Sequence, residues 1–380
     1  MKPAKAGEFV PPNAAACFYV GPVMHARMKP VQHRFSYGVF SILVDLAKQI
    51  TERPSAREMD MLLSTGEQVS VALMAMAIHE LGYEAISFTG AQIGIRTDST
   101  HTKARIKSIS TDHVMKLLDD GRIVIAAGFQ GIDQHGNITT LGRGGSDTTA
   151  VALAAVLRAD VCEIYTDVDG VYTTDPRIVP KARRLDRVAF EEMLEMASLG
   201  AKVLQVRSVE VAMVHKVKTF VRSSFDDPAD PKPGTLICDE EDIVEQQVVT
   251  GIAFSRDEAQ LTLRRVSDKP GVAAAIFVPH AEANINVDMI IQVVSDDAKS
   301  TDITFTVPQA DFERARAMLE GMRADIGYAM LQGANDVVKI SAIGIGMRSH
   351  AGSPPAPSRR SPTRGSISAP SPPARSSSRC

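Results

Sequence analysis

At 380 residues and 44% apolar content, the chain is long enough for two or three domains, each with its own core. A net charge of −3 gives no whole-chain attraction to nucleic acid or anionic lipid, and no continuous apolar run approaches the roughly 20 residues that span a bilayer. Cys17, Cys162, Cys238 and Cys380 lie far apart with no Cys-x-x-Cys pair, and the N-terminus lacks a continuous apolar stretch, so zinc sites, disulfide scaffolds and secretion are disfavoured and a cytoplasmic protein is expected.

In chain order, Ser64 to Leu81 has helical spacing, with Val69, Leu73 and Met76 beside Met74, Ile78 and Leu81. Residues 122–128 (RIVIAAG) form an apolar run of strand length, DQHGN at 133–137 supplies a turn, and 138–141 is again extended. After glycines at 142, 144 and 145, Asp147 to Leu157 reads as a helix and Val161 to Thr166 as a buried strand. Helix and strand alternating in this way predict an α/β domain with a mostly parallel sheet. From about Gln247 the order becomes β-α-β-β-α-β, with helices at Gly271–Ala283 and Asp311–Ala324, the pattern of a small ferredoxin-like sandwich. From Ser353 onward nine Ser, seven Pro and five Arg accompany only one large aliphatic residue, so the tail reads as disordered and the rest of the chain as more acidic than the whole.

Three segments carry chemistry. In Thr139–Thr149 (TTLGRGGSDTT) the glycines allow close backbone approach, the helix that follows offers free N–H groups to an anion, and Arg143 supplies a bidentate donor. No Gly-Lys-Ser/Thr closes it, which excludes a Walker loop; a tight turn capped by Ser146 or Asp147 is the alternative. YTDVDGVYTTDPR, 165–177, is an acidic loop leaving a strand end, where ligands of open α/β sheets sit; its carboxylates suit Mg²⁺ or a ribose, and a solvated turn is the alternative. Ser64-x-x-Glu67 reads either as a site carboxylate or as a capping box. Lys202 stands where a new helix is expected to begin, a position that suits a nearby phosphate. The scattered histidines (His79, His101, His215, His280) show no metal spacing, and no metal ligands are assigned.

Taken together, REMDMLLSTGEQVSVAL, FTGAQIGIRTDSTHTKARI, GFQGIDQHGNITTLGRGGSDTTAVALAA, IYTDVDGVYTTDPR and FEEMLEMASLGAKVL resemble the aspartate kinases of the amino-acid kinase family from about Leu46 to Gly352. The resemblance implies transfer of the γ-phosphoryl of ATP, with Mg²⁺, to the side-chain carboxylate of L-aspartate. It places Glu67 on the amino group, Arg143 on the carboxylate, and Gly144, Ser146 and Asp147 in the acceptor pocket. Glu67, Arg143 and Asp147 are thus the expected catalytic residues. Thr166, Asp167, Tyr172, Asp175, Pro176 and Arg177 are implied nucleotide contacts, with Lys202 near the phosphates. SDKPGVAAAIF and NINVDMIIQ resemble an ACT unit. There Asp268, Lys269, Gly271, Val272 and Ala273, bordered by Ile291, Gln292, Thr301 and Asp302, would lie near lysine or threonine as feedback effector. ACT units also imply a homo-oligomer; neither nucleic acid nor membrane is an expected partner.

The resemblance divides the chain into a segment of other origin at 1–44, a kinase domain at 45–246, an ACT region at 247–352 whose second unit is incomplete, and the tail at 353–380. Aspartate kinases open with a strand leading into Lys-Phe-Gly-Gly-Thr-Ser, which occurs nowhere in the 380 residues. Residues 1–44 instead weakly resemble the start of an unrelated bacterial family of unknown function, so weakened activity is expected. A non-catalytic amino-acid-binding regulatory subunit and a different amino-acid kinase are the alternatives.

Overall fold

The computed structural model describes residues 41–201, 203–226, 233–243, 249–267, 269–294 and 300–344. Lys202, Asp268, most of the 1–44 segment and the 353–380 tail lie outside them. The described residues form two units, one reaching Gly251 and taking up Ile343, the other spanning Ile252–Ala342.

The first unit opens with a helix over 41–50 (α1) and then α2, Ala56–Glu80. This helix starts eight residues earlier than the spacing from Ser64 predicts, because its buried face continues upstream through Leu63 and Asp60. Ser64 therefore lies inside the helix, its hydroxyl donating to the Met61 carbonyl (2.9 Å), and the capping box is not formed. β1 (Ala85–Phe88) pairs in parallel with β4 (Ile123–Ala126). β4 is buried along its whole length. Ile123 and Ile125 pack with Val71 and Ala75 of α2, while Val124 and Ala126 pack with Val114 and Leu118 of α3 (Asp112–Asp119) and with Leu153. Burial on both faces explains the unbroken apolar run in its sequence.

A second sheet, ordered β3-β2-β5-β6, holds Ile106–Ile109, Ile95–Thr97, Gln130–Ile132 and Ile138–Thr140. α4 (Gly145–Leu157) follows and leads into β7 (Cys162–Thr166). β7 belongs to a third sheet, ordered β7-β9-β10-β8, with β8 at Arg187–Ala189, β9 at Thr219–Ser223 and β10 at Thr235–Cys238. Parallel pairings (β1/β4, β2/β5, β7/β9, β8/β10) mix with antiparallel ones, and α5 (Phe190–Ser198) and α6 (Val206–His215) complete the unit. α2 has the length and apolar composition of a membrane span, against expectation, yet it packs on β1, β4 and β6 and carries buried Asp60. Cys162 and Cys238 are free and buried, and burial pushes the Cys162 thiol up to about 12.

The second unit follows the predicted order: β11 (Gly251–Ser267), α7 (Val272–Glu282), β12 (Asp288–Val294), β13 (Ser300–Pro308), α8 (Phe312–Gly321), the short α9 (Arg323–Ile326) and β14 (Met330–Ile343). Its sheet runs β12-β13-β11-β14. Alternate residues of the central strands, among them Leu261, Leu263, Ile303 and Phe305, share one core with Ile276 of α7 and Leu319 of α8.

Candidate active site

Helix, strand and glycine turn converge at the N-terminus of α4. β6 ends at Thr140, and the chain turns through Gly142 and Gly144, both left-handed (φ 79° and 66°). A Cβ at Gly144 would come within 1.7 Å of Gln205 Cγ, and one at Gly142 within 2.8 Å of the Thr102 carbonyl oxygen. Both positions therefore demand glycine twice over, by dihedral and by space. The cap of α4 is Gly144, so Ser146 and Asp147 stand in the first helical turn and neither side chain caps it. The alternative reading of those two residues as caps is thereby overturned, because the left-handed glycine caps the helix two or three residues earlier.

α2 lies alongside and presents Glu67 to this turn. Ser146 Oγ donates to Glu67 Oε1 over a long 3.5 Å, and burial pushes the Glu67 carboxyl up to about 7, opposed only in part by that bond. Asp147 is likewise pushed up to about 6 by burial. Two carboxyls perturbed by desolvation, at a helix N-terminus beside an exposed Arg143, describe a site for a ligand carrying both an ammonium and a carboxylate.

The neighbouring polar frame is dense. Gln130 Nε2 donates to the Ser64 carbonyl (3.0 Å) and Gln68 Nε2 to Gln130 Oε1 (3.3 Å). Arg207 of α6 donates to the carbonyls of Ala104 (2.9 Å) and Leu141 (3.3 Å), fastening the loop before β3 to the glycine turn. Asp60, fully buried, accepts from His101 Nδ1 (2.7 Å), from the Thr102 amide (3.1 Å) and from Thr140 Oγ1 (2.5 Å). Sequence reasoning passed over Asp60 and Arg207 and gave His101 no role. The readable signal was the register of Asp60, Ser64 and Glu67, which places all three on one face of α2.

At the other end of α4, β7 leads into the acidic loop. α4 packs on β7 and, through Leu153, on the core around β4, and it carries the chain from the glycine turn after β6 into β7. Thr166 Oγ1 donates to Asp167 Oδ1 (3.1 Å), and the Tyr172 hydroxyl donates to Asp169 (3.0 Å), whose carboxylate also lies 3.7 Å from Arg184. Arg177 grips Asp175 through Nε and its second terminal nitrogen, and these bonds hold Asp175 below the usual carboxylate range. Asp175 is part-buried whereas Pro176 and Arg177 are exposed.

In the second unit, β11 ends opposite the start of β13, with Ser267 paired to Ser300 and Val266 to Thr301. This register puts Lys269, Gly271, Val272 and Ala273, at the start of α7, at the same sheet end as Thr301 and Asp302. Gln292 pairs with Ile303, one step farther in. Asp302 is engaged by Arg264 (2.5 Å) and by the Arg265 amide (2.8 Å).

Residues 22–223 match the amino acid kinase family and residues 264–321 an ACT domain. An aspartate kinase of Pseudomonas putida is 57% identical over 311 residues, 82% of this chain and 74% of that protein. The chain belongs to the aspartate kinase family. Its fold agrees with this: aspartokinase III of E. coli in complex with aspartate and ADP matches with TM-score 0.66 at 29% identity, over 82% of this chain and 69% of that one. The same enzyme in complex with lysine and aspartate matches with TM-score 0.62, over 84% and 69%. An amino-acid kinase domain followed by an ACT domain is therefore the architecture of this aspartate kinase homologue.

Proposed function

We propose that the turn 142–147 and Glu67 bind L-aspartate, and that the loop 166–177 binds the adenine nucleotide that phosphorylates it. The observation that carries this reading is the pair of desolvated carboxyls, Glu67 and Asp147, beside Arg143 at the N-terminus of α4, in a chain 57% identical to an aspartate kinase. Arg143 holds the α-carboxylate as a fork, and ionised Glu67 pairs with the ammonium. Asp147 and the Ser146 hydroxyl shape the remainder of the pocket.

The side-chain carboxylate of aspartate attacks the γ-phosphorus. A carboxylate O–P bond forms as the bond between that phosphorus and the β,γ-bridging oxygen breaks, and ADP leaves with the electron pair. A carboxylate is already ionised, so no general base is needed, and the catalytic effect comes from alignment and charge. Thr166, Asp167 and Tyr172 line the nucleotide side, with Asp175–Arg177 forming its outer rim and Lys202 assigned to the phosphates. Mg²⁺ would supply neutralisation of phosphate charge, and Asp167, at the end of β7 and accepting from Thr166 Oγ1, would be its protein contact. Lysine or threonine would bind the ACT unit near Lys269–Ala273 and Thr301, and such units would join copies of the chain. Cytoplasm, where ATP is supplied, is the expected location.

The deciding experiment incubates the full chain with ATP-Mg²⁺ and a panel of acceptors, trapping the acyl phosphate with hydroxylamine. Aspartyl hydroxamate is the expected product; formation from glutamate instead of aspartate would sink the acceptor assignment. Calorimetry with lysine and threonine tests the regulatory half in parallel. Heat from either effector without turnover would favour the binding-subunit alternative.

A further inference from the structure

We infer that Asp60 is a positioning residue for the acceptor pocket, acting through Thr140 and the 101–104 loop rather than on substrate. This rests on the assignment of the 142–147 turn as that pocket.

Asp60 is 0% exposed and has four acceptor contacts, from the His101 ring, the Thr102 amide on both oxygens, and the Thr140 hydroxyl. A buried carboxylate is stable only when such donors replace its water. The three donors come from two different segments, and each leads to the glycine turn. Thr140 is the last residue of β6, two residues before Gly142. Thr102, itself left-handed at φ 64°, puts its carbonyl oxygen against Gly142 so closely that a Cβ there would collide. Ala104 completes the clamp, its amide donating to the Thr140 carbonyl (2.9 Å).

Asp60 also shares its helix face with Glu67, two turns on. A single carboxylate thus fixes the axial position of α2, which sets Glu67, against the strand that sets Arg143 and Ser146. Loss of its charge should loosen the distance between the ammonium-binding and carboxylate-binding sides of the pocket, leaving the nucleotide loop at the end of β7 alone.

The test compares the full chain with Asp60→Asn, Thr140→Val and Thr140→Ser. Valine keeps the shape of Thr140 and removes its donor, whereas serine keeps the donor. Hydrogen exchange of the 141–149 amides should speed up about tenfold in Asp60→Asn and Thr140→Val, with the 123–126 and 303–307 strands unchanged and Thr140→Ser near the parent. The KM for aspartate should rise about tenfold in the first two variants while that for ATP stays within about twofold. Unchanged exchange in the turn, or equal acceleration across the whole first unit, would overturn the inference, as would equal shifts in both KM values. The exchange measurement needs no turnover, so it judges Asp60 even if the acceptor panel refutes the kinase assignment.

Discussion

Glu67, proposed for the acceptor pocket, opposes the stability of its own fold. Its carboxyl titrates near 7 in the folded chain against 4.5 when solvated, because burial penalises the charged form. Between those values the folded state binds more protons than the unfolded one, so stability falls as pH rises through that window and the full cost, about 3 kcal/mol, is felt above it. Glu67→Gln removes this cost. The variant should melt above the parent at pH 8 and close to it at pH 4.5, as followed by circular dichroism, while the KM for aspartate rises about a hundredfold through loss of a buried ammonium partner. An identical melting difference at both pH values would contradict the assignment of the strain to ionisation. If Glu67 pairs with the ammonium as proposed, the same titration should make aspartate affinity of the parent climb with pH up to about 7. Arg143 tests the opposite end of the substrate. Arg143→Ala should raise the KM for aspartate by about 10- to 100-fold, and Arg143→Lys should recover only part, since an ammonium cannot match the planar fork.

At the level of elements, the glycine turn is the least tolerant piece of the site. Gly144→Ala would force a side chain into a left-handed backbone and onto Gln205 Cγ, with Gln205 Cβ also only 2.5 Å away. The strain costs about 1 to 2 kcal/mol before the clash is added, so the unfolding free energy from denaturant titration should fall by more than that amount, together with loss of aspartate turnover. The glycine turn, the strand-length run at 122–128 and the β-α-β-β-α-β order were legible because each is a local pattern: dihedral demand, a two-sided burial run and regular alternation. The start of α2 was not. Its first two turns, 56–63, carry charged residues among the apolar ones, and the helical spacing reappears only once buried Asp60 is counted as part of the inward face. A fully buried aspartate looks like a surface residue in sequence, and its donors, Thr102 and Thr140, stand 42 and 80 residues away. Proximity of that kind is a product of topology and leaves no mark in local spacing. Serine and glutamate three apart were ambiguous for a related reason, since a capping box and a mid-helix site share one spacing, and only the upstream turns separate them.

At the scale of the whole molecule, the proposed acceptor and nucleotide groups lie in the described residues, and the question left for phosphoryl transfer is what grips the phosphates. The family's Lys-Phe-Gly-Gly-Thr-Ser appears nowhere in its 380 residues. Phosphoryl transfer spreads negative charge over the γ-phosphate oxygens, and cations and backbone amides are what stabilise it. Arg143 is assigned to the carboxylate of aspartate, so it does not substitute for a phosphate lysine. Among the described residues β4 pairs only with β1, and β7 only with β9, although β4 is buried from end to end. Each of these two strands thus has a free side within its own sheet among the described residues, where an added strand could pair. Replacing residues 1–44 with a segment built on the family's opening strand and Lys-Phe-Gly-Gly-Thr-Ser should raise kcat by about 10² to 10³, the amount that one charged transition-state donor contributes. The KM for aspartate should stay within about threefold, because Glu67 and Arg143 are untouched by the exchange. Single-turnover measurements on both chains at saturating ATP-Mg²⁺ separate this outcome from altered ADP release. Equal rates for the two chains would mean that the native 1–44 segment already supplies the phosphate grip by other residues.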